Sequence, residues 1–179
     1  MKHVFLIPMV VIPKPANLNL ESVAVDSIKA LGDETDYKMV FCPPHQPLGS
    51  ALSECVHVFG FDPDTFVTII NKGDEVDKNY LRCCEEVLQA HPDCTCIVGR
   101  VKPVSTPRPL VLEASGIKKA RVKDVNFKSD PPITFQIGEN LILPTRVLPQ
   151  NMMKNWLKGR NPECLHLYLT PNAVIYRSE

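Results

Sequence analysis

The chain has no net charge: 20 basic residues balance 20 acidic ones among 179. That balance removes any general electrostatic drive toward nucleic acid or an anionic membrane. No stretch approaches the roughly 18 consecutive apolar residues that a bilayer-spanning helix needs. A secretory leader is lacking too, because the apolar start Val4-Phe5-Leu6-Ile7 is broken by Pro8 and Pro13 and no small-residue cleavage site follows. These absences predict a soluble, cytoplasmic protein with no membrane span and no nucleic-acid partner. No G-x-G-x-x-G follows the first apolar run and there is no P-loop, which argues against an unrelated Rossmann-like nucleotide binder. Internal repeats and long low-complexity runs are missing as well. The seven cysteines are an odd number and form no C-x-x-C pair, so reduced thiols packed as small hydrophobes are expected. Cys94-Thr95-Cys96 beside His91 leaves a zinc site as the alternative.

What is present is ordinary for a globular protein, with 44% hydrophobic and 22% charged residues. A chain of this length is predicted to build one domain, residues 1–179, with a sizeable core. His3 to Ile12 reads as a buried first strand and Pro13 to Asn19 as a loop. Leu20, Val23, Ala24, Ser27, Ile28 and Leu31 fall at helical spacing, and Gly32 suits the end of that helix. Tyr37 to Cys42 is a second strand, closed by Pro43, Pro44 and Pro47. Gly49 to Phe59 fits a second helix, Thr65 to Ile70 a third strand, Asp77 to Ala90 a third helix and Cys94 to Val101 a fourth strand. This β-α-β-α-β-α-β order predicts a mostly parallel, Rossmann-like α/β sheet with flanking helices. The rest is expected to be irregular. It holds an edge strand within Val104 to Leu112, a strand at Ile133 to Ile142 and a helix at Thr145 to Leu157 interrupted near Pro149. Closing elements are expected at Leu165 to Leu169 and Ala173 to Tyr176. The basic cluster Lys118 to Lys123 reads as a solvated face, with a local anion patch as the alternative.

The segment Phe66 to Leu81 carries the most information. A β-branched apolar run, Phe66-Val67-Thr68-Ile69-Ile70, stops at the polar turn Asn71-Lys72-Gly73-Asp74-Glu75-Val76-Asp77, and an amphipathic helix follows. In open α/β sheets ligands bind at the carboxyl ends of strands, so this turn sits where metal, phosphate or substrate chemistry belongs.

Four stretches together resemble the family 2-type glycosyltransferases of GT-A fold. The helix Leu20-Glu21-Ser22-Val23-Ala24-Val25-Asp26-Ser27-Ile28 is similar to the family's first helix. Gly49-Ser50-Ala51-Leu52-Ser53-Glu54-Cys55 through Asn71-Lys72-Gly73-Asp74 resembles its second helix and acidic strand end. Ile137-Gly138-Glu139-Asn140-Leu141-Ile142-Leu143-Pro144-Thr145-Arg146-Val147-Leu148 resembles its acceptor-side segment. Asn161-Pro162-Glu163-Cys164-Leu165-His166-Leu167 stands where the family places its catalytic base. The resemblance implies a GT-A-like sheet whose residues 1–101 form a nucleotide-sugar-binding half and 102–179 an acceptor-side half. It implies sugar transfer from a nucleoside-diphosphate sugar to an unknown acceptor, with inversion.

The same resemblance implies the site. A divalent cation, Mn or Mg, would neutralise the leaving diphosphate through hard oxygen ligands. The family's Asp-x-Asp positions are Asn71 and Gly73 here, so Asp74, Glu75 and Asp77 become the metal-ligand candidates. Asp77 or Asp74 as a helix cap is the competing reading. Lys72 and Asn71 would meet the phosphates, although Lys72 also reads as an ordinary turn lysine. His45, where the family carries a base-reading acid, would contact the nucleobase or simply occupy a surface loop. Trp156 would form a platform for the acceptor sugar or pack in the core. Glu163 would take the acceptor hydroxyl's proton or sit as a solvated loop glutamate. The missing Asp-x-Asp, the missing base-reading acid and the short C-terminal half favour a second reading, a non-catalytic binding or assembly protein on a degenerate GT-A fold.

Overall fold

The computed structural model describes residues 3–8, 18–31, 37–42, 64–70, 73–108, 116–136, 157 and 165–178. Its strands are β1 (His3–Pro8), β2 (Tyr37–Cys42), β3 (Phe66–Ile69), β4 (Glu75–Val76), β5 (Cys96–Pro103), β6 (Lys118–Ala120), β7 (Ile133–Gln136) and β8 (Leu167–Arg177). Its helices are α1 (Leu18–Lys29) and α2 (Tyr80–Ala90). The strands form one sheet in the order β2-β1-β3-β7-β5-β8-β4, and β6 also pairs with β8. The strands β1, β2, β3, β5 and β8 run parallel to one another, whereas β4, β6 and β7 run against them. The expectation of a mostly parallel, Rossmann-like sheet is therefore corrected to a mixed sheet. Its physical origin is β7, which inserts antiparallel between β3 and β5, together with two short strands that satisfy the outer edge of β8.

Several expected elements recur with shifted ends. The strand Tyr37–Cys42 is found as expected. Helix α2 begins at Tyr80 rather than Asp77, because Glu75 and Val76 are drawn into a pairing with Tyr176 and Ile175. The two closing elements merge into the single strand β8, which runs through Pro171. The expected helix Gly49 to Phe59 lies outside the described residues. So does the expected helix Thr145 to Leu157 apart from Leu157, which is buried.

Both helices pack on one face of the sheet. Ala24 and Ile28 of α1 join Tyr80, Leu81, Cys83, Cys84 and Val87 of α2 in a single cluster with Phe5, Ile97, Tyr168 and Ile175. The 3.6-residue spacing of those apolar positions is what places them on one stripe. A hydroxyl fixes α1 to β4: Ser27 Oγ accepts a 2.9 Å hydrogen bond from the Val76 N–H and donates one to the Ala24 carbonyl. Cys83, Cys84, Cys94 and Cys96 are buried free thiols, as expected. Burial pushes the Cys83 and Cys94 thiols up to about 12, so they do not ionise near neutrality.

A line of buried polar side chains crosses three strands under α2. His3 Nε2 hydrogen-bonds Thr68 Oγ1 at 2.8 Å, Thr68 bonds Thr134, and Thr134 bonds the Tyr80 hydroxyl at 2.9 Å. Each hydroxyl of the line has a partner, which makes its burial tolerable, whereas His3 Nδ1 has none among the described residues. Burial, then the charge of the amino terminus, lowers the His3 pKa to about 3. Below pH 6.5 the unfolded chain binds a proton that the folded chain refuses until about pH 3. The stability that His3 supplies is thus complete above pH 6.5 and falls as pH drops through that window, at up to about 1.4 kcal/mol per pH unit. His3→Gln should flatten the pH dependence of urea-unfolding free energy between pH 6.5 and 5. Equal slopes for the two proteins would remove this assignment.

The join between β5 and β8 is irregular. Val98 is level with Leu169, but Arg100 is level with Val174, so Thr170-Pro171-Asn172-Ala173 bulges opposite Gly99. A β-carbon on Gly99 would lie 2.0 Å from the Ala173 carbonyl oxygen, and one on Gly116 would lie 2.4 Å from the Pro171 ring. Glycine at these two places lets the bulged strand press against its neighbours.

Candidate functional site

The parallel strands end on one edge of the sheet, and the acidic turn leaves β3 at that edge. Gly73 adopts a φ of 81°, a left-handed conformation that glycine reaches without strain. The chain then turns back to lay β4 against β8. That pairing sets each carboxylate beside a partner from the end of β8 or the loop after β5.

Arg177 is the centre of this arrangement. Its Nε and Nη2 donate to the two carboxylate oxygens of Asp74 at 2.9 and 3.0 Å, and its Nη1 donates to Asp130 Oδ2 at 2.9 Å. The Asp74 side chain is 3% exposed and the Arg177 side chain 26%. This is a fork-to-fork ion pair, the strong form of arginine–carboxylate contact. Asp130 stands at φ 54°, in the left-handed region that asparagine and aspartate tolerate better than most residues. Glu75 Oε2 receives Arg108 Nη2 at 2.9 Å, and the same guanidinium lies 3.3 Å over the Tyr176 ring. Asp77 Oδ1 accepts from the Asn79 N–H at 2.8 Å, and its Oδ2 accepts from the Tyr176 hydroxyl at 3.0 Å. Burial, with the Asp77 contact second, pushes the Tyr176 phenol up to about 12.

A cavity of about 370 Å³ opens where β8 bulges. Its walls include Gly99 and Arg100 of β5, Lys118 of β6, Thr170 of β8, and Asn126 and Ser129 of the segment before β7. That last wall is continuous with Asp130, so Arg177 ties the acidic turn and the cavity to one another.

Of the predicted site residues, Asp74, Glu75 and Asp77 are brought together. Asn71, Lys72, His45, Trp156 and Glu163 lie outside the described residues. The Asp77 contact with the Asn79 N–H is a local turn before α2, whose N-cap position is Asn79. Asp74 caps nothing and pairs with Arg177. Each of the three carboxylates is engaged by the protein's own donors. No cluster of three metal-ligating side chains occurs among the described residues. The zinc alternative has no such cluster either: His91 stacks on Tyr168 with ring centroids 4.3 Å apart. Sequence reasoning missed Arg177, Arg108 and Tyr176. Their partners lie up to 103 residues away, and no local spacing announces such a pair.

No protein-family model matches the chain, and no curated protein matches it. Among solved structures the chain is similar to S. aureus TarS. For TarS 1-349 the TM-score is 0.64 at 10% identity, over 99% of this chain and 60% of that one. For TarS 1-349 in complex with UDP-GlcNAc it is 0.63 at 10% identity, over 100% and 59%. A structure of TarS 1-349 in complex with UDP gives the same score and identity, over 61% of its length. The chain therefore spans about 60% of these TarS chains. At that identity the likeness is one of fold alone.

Proposed function

We propose that this chain binds a nucleoside-diphosphate sugar at the carboxyl edge of its sheet and transfers the sugar to an acceptor with inversion. The observation that carries this reading is the shared fold with TarS, whose structures hold UDP and UDP-GlcNAc, combined with an acidic turn at that edge. In this reading Asn71 and Lys72 face the donor phosphates, His45 the base and Trp156 the acceptor. Glu163 removes the proton from the attacking hydroxyl, the role a carboxylate plays in inverting transfer. Mn or Mg at the turn would require Asp74 to release Arg177 or Glu75 to release Arg108.

The test is thermal unfolding with UDP, UDP-GlcNAc and other nucleotide sugars, each with and without Mn. A ligand at a hundred times its dissociation constant stabilises the folded state by about 2.7 kcal/mol. A shift with one nucleotide family is expected without Mn, because the turn's carboxylates are engaged. A shift that appears only with Mn would mean that the turn opens to admit the cation. No shift with any nucleotide would favour the second reading, a binding protein on this fold. The engagement of all three carboxylates by the protein's own donors is the observation on that reading's side.

A further inference from the structure

The cavity at the β8 bulge contains an imbalance in its polar groups. Most are already occupied by the protein itself. Asp124 Oδ2 accepts the Arg121 N–H at 3.0 Å, Asn126 Oδ1 accepts the Lys128 N–H at 3.2 Å, and the Ser129 hydroxyl donates to the Asn126 carbonyl at 2.8 Å. Thr170 Oγ1 faces the Asn172 N–H at 3.4 Å. The positive groups are not occupied. Neither Arg100 nor Lys118 has an ion-pair partner among the described residues. Arg100 on β5 and Lys118 on β6 stand on opposite sides of the β8 bulge, and both line the cavity. Gly99 and Gly116 also line it, each packed against the β8 bulge.

We infer that this cavity is a binding site for a phosphorylated polyol or sugar, held by Arg100 and Lys118 through its phosphate. Its volume suits a single sugar-sized unit. Arginine offers a planar fork of donors to phosphate, and lysine a compact charge. The Asn126 side-chain NH₂ remains to meet a hydroxyl. A role as acceptor rests on the proposed function, in which the transferred sugar would go to a hydroxyl of this anion. The binding itself does not rest on it.

The experiment is titration calorimetry with glycerol 3-phosphate and glucose 6-phosphate, and with glycerol and glucose as uncharged counterparts. It is run on the wild-type protein and on the double variant Arg100→Gln/Lys118→Gln. Both side chains are exposed, so the variant is expected to fold, and its thermal unfolding is recorded alongside. The phosphorylated probes should bind and their uncharged counterparts should not. The double variant should lose at least about tenfold in affinity, the scale of one charge-assisted hydrogen bond. Equal binding of charged and uncharged probes, or undiminished phosphate binding in the double variant, overturns the assignment. UDP-GlcNAc titrated against the same two proteins separates the failures. If the phosphates bind through Arg100 and Lys118 while UDP-GlcNAc does not bind, the anion site stands and the transferase reading falls. If UDP-GlcNAc binds both proteins alike and the phosphates bind neither, the donor reading stands and the anion site falls.

Discussion

Arg177→Ala is expected to destabilise the fold by about 3–5 kcal/mol, the loss that follows when one partner of a buried ion pair is removed. Asp74 would keep its charge at 3% side-chain exposure with its fork of donors gone. Asp130 would lose a donor to its carboxylate and another to its carbonyl, contacts of 2.9 and 3.2 Å. Arg177→Lys should recover only part of the loss, because an ammonium cannot serve Asp74 with two parallel bonds while reaching Asp130. Asp74→Asn combined with Arg177→Ala should cost less than the sum of the single changes, as groups in one network are not additive. Urea unfolding of wild type, Arg177→Ala, Arg177→Lys, Asp74→Asn and the double variant decides the matter. A loss below about 1 kcal/mol for Arg177→Ala would show the pair to be as weak as an ordinary surface bridge.

The second large effect is expected at Gly99. An alanine β-carbon would meet the Ala173 carbonyl oxygen at 2.0 Å, and that oxygen belongs to backbone that cannot swing aside. β5 and β8 must separate or the bulge must re-register, with a penalty of about 3 kcal/mol or more. For a chain of this size that corresponds to roughly 6–12 °C in melting temperature. Gly116→Ala faces the Pro171 ring at 2.4 Å and should cost less, because it meets the edge of a side chain rather than backbone. A Gly99→Ala protein that melts within about 2 °C of wild type would mean that the β5–β8 join adapts freely.

The legible parts of the sequence were those that depend on neighbours in the chain. The spacing of Tyr80, Leu81, Cys84 and Val87 announces α2, and the run Tyr37 to Cys42 announces β2, because each follows from a local period. The position of the acidic turn at the sheet's carboxyl edge was legible for the same reason. Strand direction was not. Ile133 to Gln136 reads as a strand whichever way it runs, and only its partners Phe66 to Thr68 and Cys96 to Val98 make it antiparallel. The engagement of the candidate ligands was hidden likewise. Asp74 reads as an acid at a strand end, and nothing nearby in sequence indicates that Arg177 takes it. Pro171 was misleading in a useful way: it divides β8 into two apparent elements, when in fact it marks a bulge in one. The loose thiols and the solvated character of Lys119, Arg121 and Lys123 followed from composition alone.

The strand that binds all of this together, β8, follows in sequence every element it joins. β8 holds β5 along one side and both β6 and β4 along the other, and the acidic turn is closed by contacts spanning 99 and 103 residues. During synthesis β4, β5 and β6 emerge well before the partner that completes them. Until residue 177 has cleared the ribosome, β5 has an open edge and Asp74 has no counter-charge. Topologies that depend on such distant pairings fold slowly and expose unpaired strands while they wait. Nascent chains arrested before residue 167 should therefore be caught by chaperones and cut by proteases, and emergence of β8 should end both.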